Sequence, residues 1–462
     1  MFRVLLMFWL VGLYCLNTVA GVCHERPNIV VLLSDDAGYA DFGFQTHASQ
    51  DFRQLTPRID SIASNGVRFS NAYMSASVCS PSRAGLMTGR YQQRFGHDNN
   101  IPPGYMDGGL PLTETFVAKL LQERGYRTGL IGKWHLGYPD SYHPNQRGFD
   151  FFYGCLQGSR KYFPIENPSP HRVFLENDQP TAETGYLTDR IGDGACRFIT
   201  ENKQQPFFLF VSFTAPHGPL EGKAEVLEKL QHIEKLRRKK NAALIVSLDE
   251  NVGKILDCLQ EHQLTDNTLV VFSNDNGGQT QYAANNGPLR GAKGTLWEGG
   301  IRVPLAMQWP NRLAAGVQID DPVISLDWLP TFFAAANLQV PEAANWDGID
   351  LLPRLTGQAT ELTERTLFWR RRGPGNEIAA RRGQWKMVHF RSEPTSKKAN
   401  QNVTQSPMLF NLSSDLGEQT DVAKNHPDLL TELVESLTDW EAQLKTPLWG
   451  NNPRRAGNLN SK

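Results

Sequence analysis

Positive charge is not in excess in this sequence: 47 Lys and Arg stand against 48 Asp and Glu over 462 residues, a formal net charge of −1. Domains that grip nucleic acid or another polyanion through their general surface are visibly basic, so that class is excluded. Low complexity is lacking too. Gly and Pro number 40 and 28, about 15% together, below the roughly 25–30% that marks unstructured composition. No Cys-x-x-Cys spacing occurs, which removes the usual structural zinc frameworks. After the first 20 residues no apolar run approaches the ~18 residues of a membrane-spanning helix, so no stable membrane insertion is expected. What remains is a folded, globular composition, 40% hydrophobic and 21% charged. It is long enough for two or three domains and for a large core without disulfide staples.

The N-terminus has a leader-like pattern: Met-Phe-Arg, an apolar run from Val4 to Leu16, then Thr18-Val19-Ala20 before Gly21. One positive charge, a short apolar core and small residues describe a cleavable export signal, placed at residues 1–22. The mature protein is therefore expected outside the cytoplasm: periplasmic or secreted in a bacterium, secretory or lysosomal in a eukaryote. Cys15 leaves with the leader, and Cys23, Cys79, Cys155, Cys196 and Cys258 remain. Five sulfurs cannot all pair, and an unpaired thiol in an oxidising compartment calls for a chemical reason.

Short apolar runs alternate with helical patterns through the first three quarters of the chain. Asn28 to Leu33, Arg127 to Ile131, Phe207 to Phe213 and Leu269 to Phe272 are apolar on successive residues, as strands covered on both faces are. Helices are predicted over Glu114 to Glu123 and Ala242 to Leu259, and Val67 to Tyr73 reads as a strand. The expected class is α/β, with a mostly parallel sheet flanked by helices over residues 23–350. A smaller α+β subdomain with a short antiparallel sheet is expected over 351–462, from Thr366 to Trp369, Ala379 to Arg382, Trp385 to Phe390 and Met408 to Leu412, closed by a helix from Pro427 to Leu444. The basic run Lys235 to Lys240 reads as a solvated helix face.

In a parallel sheet the chemistry gathers beyond the carboxyl ends of the strands. Two predicted strands run into Asp35-Asp36 and into Asp275-Asn276. Either pair alone is equally a helix cap or an Asx turn. Together they form a hard, anionic, oxygen-only set suited to Ca²⁺ or Mg²⁺. The other strands end in Lys133-Trp134-His135 and in Pro216-His217, and a Gly-rich loop from Asn286 to Gly294 carries Lys293. Proton-transfer roles follow for the histidines and lysines at that edge. Cys79 precedes Ser80-Pro81-Ser82-Arg83, where Ser80 suits a cap and Pro81 a first helical turn. That places Cys79 just before a helix N-terminus, a position that lowers a thiol pKa and receives an anion.

Cys79-Ser80-Pro81-Ser82-Arg83, continuing through Leu86-Met87-Thr88-Gly89-Arg90, resembles the modification motif of the formylglycine-dependent sulfatases, an alkaline-phosphatase-like family. Gly125 to His135 is similar to its second signature, and Asp35-Asp36, Pro216-His217, Asp275-Asn276 and Lys293-Gly294-Thr295 follow in the family's order. The resemblance runs from about Pro27 to Arg312 and resumes more weakly at Gly383 to Lys386 and Leu409 to Leu412. It implies a sulfuric ester hydrolase in which a maturation enzyme oxidises Cys79 to Cα-formylglycine. Asp35, Asp36, Asp275 and Asn276 would bind one Ca²⁺ together with that residue. Arg83 and Lys133 would stabilise the formylglycine and the sulfate charge. His217 or Lys293 would protonate the leaving oxygen, and His135 would deprotonate the second hydroxyl of the hydrated aldehyde so that sulfate can depart.

Substrate selection is expected in the loops Gln92 to Gly108 and Gly137 to Gly185, whose Arg147, Arg160 or Lys161 could meet a second anionic group. Tyr142-His143-Pro144 to Phe151 is similar to galactosamine-6-sulfatase-like members, which together with the exported setting favours a sulfated glycan over a steroid. Two alternatives stay open: a phosphate or phosphonate ester hydrolase on the same fold, and a catalytically silent glycan-binding relative with Cys79 unmodified. Asn402-Val403-Thr404 and Asn411-Leu412-Ser413 have the form of glycan acceptors, relevant in a eukaryotic source.

Overall fold

A computed structural model of the chain describes residues 26–342, 344–373, 376–390 and 406–450. The leader, Cys15, Cys23 and the Asn402 sequon lie outside the described residues. The strands in chain order are β1 Asn28–Ser34, β2 Val67–Phe69, β3 Ala72–Tyr73, β4 Arg127–Lys133, β5 Phe151–Cys155, β6 Leu175–Glu176, β7 Gln179–Pro180 and β8 Phe207–Ser212, then β9 Thr268–Asn274, β10 Leu305–Gln308, β11 Val317–Ile319, β12 Val323–Ile324, β13 Thr366–Arg371, β14 Glu377–Arg382, β15 Trp385–Phe390 and β16 Met408–Asn411.

Ten strands form one sheet in the order β11-β2-β10-β9-β1-β8-β4-β5-β6-β7. The centre, β9-β1-β8-β4-β5, is parallel throughout, while β10 and β6 join antiparallel. Every residue of β1, β8 and β9 is buried, which explains their unbroken apolar runs. Alternation assigns the faces. Ile29, Val31, Leu33, Phe208 and Phe210 pack with the helices Cys79–Thr88 and Trp328–Ala335. Val30, Leu32, Leu209 and Val211 pack with Leu187–Asn202 and Leu236–Glu261 on the other face. Strands β13-β14-β15-β16 make a four-stranded antiparallel sheet covered by the helix Pro427–Glu441. Its core includes Trp369, Ile378 and Leu409 and also Tyr73 of β3 and Leu296 and Ile301 from the segment between β9 and β10. The expected fold class is what the structure shows.

Several boundaries shift for local reasons. The predicted Val67 to Tyr73 strand divides, because β2 lies between β10 and β11 whereas β3 pairs with β12. Between them the Ser70 carbonyl accepts from Arg302 and Asn71 donates to the Asp320 carbonyl. The helix expected from Glu114 begins at Val117, since Glu114 is held outside it by Arg90 at 2.5 Å and by Arg147 on its carbonyl. The basic run is not wholly solvated: Arg238 is buried against Asp41 at 2.6 Å and Asp51 at 2.7 Å.

The helix Pro57–Ser64 is fixed by Asp249, whose carboxylate accepts from the Ile59 and Arg58 amides at 2.8 and 3.2 Å. Burial pushes the Asp249 carboxyl up to about 7 and that of neighbouring Asp60 up to about 6, from 3.8. The folded state therefore binds more protons than the unfolded chain between about pH 4 and 7, so the contribution of these two groups to stability declines as pH rises through that window. Asp249→Asn is expected to flatten the fall of Tm between pH 5 and 8; a slope identical to wild type in thermal scans would place its origin elsewhere.

Candidate active site

Strand register assembles the polar edge. Ser34 stands opposite Asn274, and Ser212 opposite both Leu33 and Gly132. Asp35 and Asp275, which follow, and Lys133, the last residue of β4, consequently sit at one end of the sheet. Asp36 turns back with φ of 69°, where its amide donates to Asp275 Oδ1 at 3.3 Å and its Oδ1 accepts from Asn276 Nδ2 at 2.8 Å. All of Asp35, Asp36, Asp275 and Asn276 are buried.

Cys79 is the first residue of the helix Cys79–Thr88, one position further in than expected. Ser80 does not cap it. Its hydroxyl pairs instead with His97 Nε2 at 2.6 Å and its amide with Asn100 Oδ1 at 3.0 Å. Cys79 Sγ lies 3.1 Å from Lys293 Nζ and 3.6 Å from Asp35 Oδ1. The expected lowering of its pKa is reversed: burial, with Asp275 beside it, pushes the thiol up to about 12. One turn along the same helix, Arg83 pairs with Asp275 Oδ2 through Nε at 3.2 Å and Nη2 at 3.0 Å. It also donates to Ser212 Oγ and to the Lys133 carbonyl.

Three cations thus meet three acids around one sulfur. Lys133, fully buried, reaches Asp35 at 2.6 Å, and Lys293 reaches Asp36 at 2.6 Å. Burial opposes charge on Asp35 but is outweighed by Lys133, His217, Arg83 and Lys293, which hold its carboxyl below the ordinary range. For Lys293 burial is outweighed in turn by Asp36, so the ammonium persists. The Gly-rich loop is no free surface turn: the Lys293 amide donates to the Gly278 carbonyl at 3.1 Å and that of Gly294 to Ser77 at 2.8 Å.

His217 Nε2 stands 3.5 Å from Asp36 Oδ2, and one ligand atom each of Asp35, Asp36, Cys79 and His217 lie within 4.8 Å of one another. His135 has φ of 64°, a buried ring and no partner on Nδ1. Burial, reinforced by Lys133 and Arg83, keeps it below its usual pKa and therefore neutral. The ring rests against Gly158, where a Cβ would come within 2.4 Å of it.

The acid set offers only oxygen atoms, and Asn276 Oδ1 is buried with no hydrogen-bond partner. An orphaned carbonyl beside three carboxylates fits a hard divalent cation, which would take that oxygen as a ligand. Two of the proposed substrate cations serve the fold instead. Arg147 is buried on the carbonyls of Leu110, Pro111 and Glu114. Arg160 is buried on Glu183 at 2.5 Å and on the Arg172 carbonyl. Lys161 remains exposed.

Sequence reasoning passed over Ser212, Asn274 and Tyr162. Asn274 accepts from the Ala37 amide and Ser34 hydroxyl and donates to the Ala37 carbonyl, locking the two acidic turns together. It stood in the Asp275-Asn276 run, so its signal was visible; Ser212 and Tyr162 gave none beyond being polar near a strand end. The Tyr162 hydroxyl meets the carbonyls of Thr214 and His217 at 2.9 and 2.8 Å. Tyr162→Phe is expected to lower kcat roughly tenfold through a displaced His217 at a stability cost of only about 1 kcal/mol. Equal kcat in steady-state assays of the two proteins would show that His217 needs no such support.

The family model for sulfatases matches residues 27–338, and that for the N-sulphoglucosamine sulphohydrolase C-terminal region matches 292–436. The chain belongs to the sulfatase family. It is a sulfuric ester hydrolase. Arylsulfatase G of Rattus norvegicus is 33% identical over 468 residues, covering 90% of this chain and 86% of that one. N-acetylgalactosamine-6-sulfatase of Mus musculus is 32% identical, covering 89% and 84%. Among solved structures, Ps i-CgsB in complex with k-i-k-neocarrahexaose is 36% identical with a TM-score of 0.86, covering 94% of this sulfatase and 97% of that chain.

Proposed function

We propose that this sulfatase hydrolyses a sulfate ester on a sulfated carbohydrate, with Cys79 matured to Cα-formylglycine and one Ca²⁺ held by Asp35, Asp36, Asp275, Asn276 and the matured residue. The observation that carries the reading is the gathering of Arg83, Lys133 and Lys293 on Asp275, Asp35 and Asp36 around Cys79, which Lys293 touches, beside the unpartnered Asn276 Oδ1. The cation supplies charge neutralisation, and the hydrated aldehyde supplies an oxygen nucleophile in place of a sulfur one. The residues of the chain do the rest. Lys133 and Arg83 sit on buried carboxylates and keep their charge, so an incoming sulfate meets fixed positive groups that need no reorganisation. Lys293 and His217, at the open side of Asp36, are placed to give a proton to the departing sugar oxygen. Neutral His135, with Nδ1 free, is placed to accept one.

A glycan substrate is supported by the relatives: one is named for N-acetylgalactosamine-6-sulfate chemistry, and another holds a neocarrahexaose. Aromatic Phe163 and cationic Lys161, both exposed next to Tyr162, would face such a chain. The partners on this reading are that glycan and the maturation enzyme, met during export through the leader at residues 1–22. Among the described residues no helix is long and apolar enough to cross a membrane. The family match favours sulfate over a phosphate or phosphonate ester and over a silent glycan binder. The deciding experiment is mass spectrometry of the Phe69 to Arg83 peptide from protein expressed with its maturation enzyme, alongside turnover of an aryl sulfate and an aryl phosphonate monoester. An aldehyde mass with faster sulfate turnover is expected. An intact thiol in active enzyme would end the formylglycine reading, and faster phosphonate turnover the sulfate one.

A further inference from the structure

On the sheet face opposite the Cys79 helix, the helices Leu187–Asn202 and Leu236–Glu261 pack side by side. Each turns a cysteine toward the other. Cys258 Sγ lies 3.6 Å from the Cys196 carbonyl oxygen, and Cys196 Sγ lies 3.6 Å from the carbonyl of Lys254, one helical turn before Cys258. Thr200 Oγ1 stands 4.0 Å from Cys258 Sγ. A surface groove of about 610 Å³ is lined by both cysteines together with Lys254, Asp257 and His262. Nothing in the sulfatase reaction uses them, and they lie apart from every residue of the candidate active site.

We infer that Cys196 and Cys258 are a disulfide-forming pair that staples these two helices in the mature enzyme. The inference gains its setting from the expected export, since thiols in contact within an oxidising compartment do not stay reduced. Hydrogen bonding between the two thiols is the largest influence on each: it holds the proton on Cys196 and favours the thiolate on Cys258, pulled down to about 7. Either sulfur can open the exchange, and the balance is the same when Cys258 does so. The Cys258 thiolate attacks an external disulfide, that of a disulfide-donating oxidoreductase or of oxidised glutathione, forming a mixed disulfide and releasing one external thiolate. That thiolate takes the Cys196 proton. The Cys196 thiolate then attacks the Cys258 sulfur and expels the second external thiolate, which picks up the proton that Cys258 had lost. Two electrons and two protons leave the protein and reduce one external disulfide to two thiols. Closing from hydrogen-bond contact to the ~2.05 Å of an S–S bond asks mainly for side-chain rotation.

The bond would span 62 positions of chain, a segment that contains β8 and His217, and would restrict the unfolded chain accordingly. It also steadies the helix that begins at Leu187 beside Tyr186, which stacks on Tyr162 at 5.6 Å. The cysteine arithmetic among the described residues is then simple: Cys79 is matured, Cys196 and Cys258 pair, and buried Cys155 stays a thiol.

The test uses the full-length enzyme, purified without reductant, blocked with N-ethylmaleimide in denaturant and digested unreduced, before and after incubation with oxidised glutathione. A linked peptide pair containing Cys196 and Cys258, in either sample, is the expected result. Maleimide on both cysteines in both samples would overturn the inference. A second readout guards against misfolding: reduction should lower the Tm of wild type by several degrees and leave that of Cys258→Ser unchanged, and an equal shift in both would also overturn it. Aryl sulfate turnover is expected to stay within about twofold between oxidised and reduced wild type, so failure here is distinguishable from failure of the proposed function.

Discussion

The Cys79→Ser enzyme is expected to keep the wild-type fold and to lose at least roughly a thousandfold in steady-state turnover of an aryl sulfate. The side chain at position 79 is almost fully buried, with Lys293 Nζ at 3.1 Å and Asp35 Oδ1 at 3.6 Å. An oxygen of similar size leaves those neighbours and the Arg83 to Asp275 pairing in place, so thermal unfolding should move little. Chemistry changes more. Burial and Asp275 push the unmodified thiol up to about 12, so the gene-encoded residue is protonated and inert at neutral pH. A sulfur nucleophile is a poor explanation of a site where three cations on buried carboxylates surround the residue. An unmodified serine offers one hydroxyl where the hydrate offers two, so regeneration of the site is what it should lose. Full multiple turnover by a Cys79→Ser enzyme whose residue 79 is shown by mass to remain serine would refute the maturation reading, while leaving the family assignment untouched.

Most of this site was legible because parallel sheets put chemistry at strand ends. Asp35, Asp275, Lys133 and His217 each follow an unbroken apolar run, and register brings such ends together without any help from side chains. The contacts that sequence could not supply are those between distant segments. Arg83 meets Asp275 across 192 positions, and Arg83 meets Ser212 across 129. Neither distance leaves a local pattern. Charge also misleads when its partner is a carbonyl: Arg147 looks like a substrate cation in sequence, yet three backbone oxygens consume its guanidinium. The thiol pKa failed for a related reason. The helix N-terminus near Cys79 is real, but desolvation and two carboxylates oppose it, and a dipole worth roughly 0.3–1 kcal/mol does not outweigh buried charge.

Lys386→Met should produce a large loss of stability without touching the active site. Lys386 is fully buried on β15, with Nζ at 2.9 Å from Glu298 and 2.8 Å from Glu418. Glu298 also takes Tyr73 at 2.6 Å and Arg302 at 3.1 Å, and Glu418 accepts from the Glu298 amide at 2.7 Å. This network joins the four-stranded sheet to the segments on both sides of Lys293, since Glu298 follows it and Arg290, just before it, donates to the Glu418 carbonyl at 2.7 Å. Removing the ammonium leaves two buried carboxylates with too little compensation, a loss of roughly 3–5 kcal/mol. Burial, only partly offset by Lys386, already pushes the Glu418 carboxyl up to about 7, so protonation of Glu418 is the escape open to the variant. Two consequences separate this account from a simple packing defect. The Lys386→Met protein should be relatively more stable at pH 5.5 than at pH 8, and Lys386→Met with Glu418→Gln should recover part of the lost Tm by removing the uncompensated charge. Additive losses in the double variant would mean that the network contributes volume and not charge balance. The loop bearing Lys293 should loosen in parallel, raising KM for an anionic substrate at temperatures where the variant is still folded.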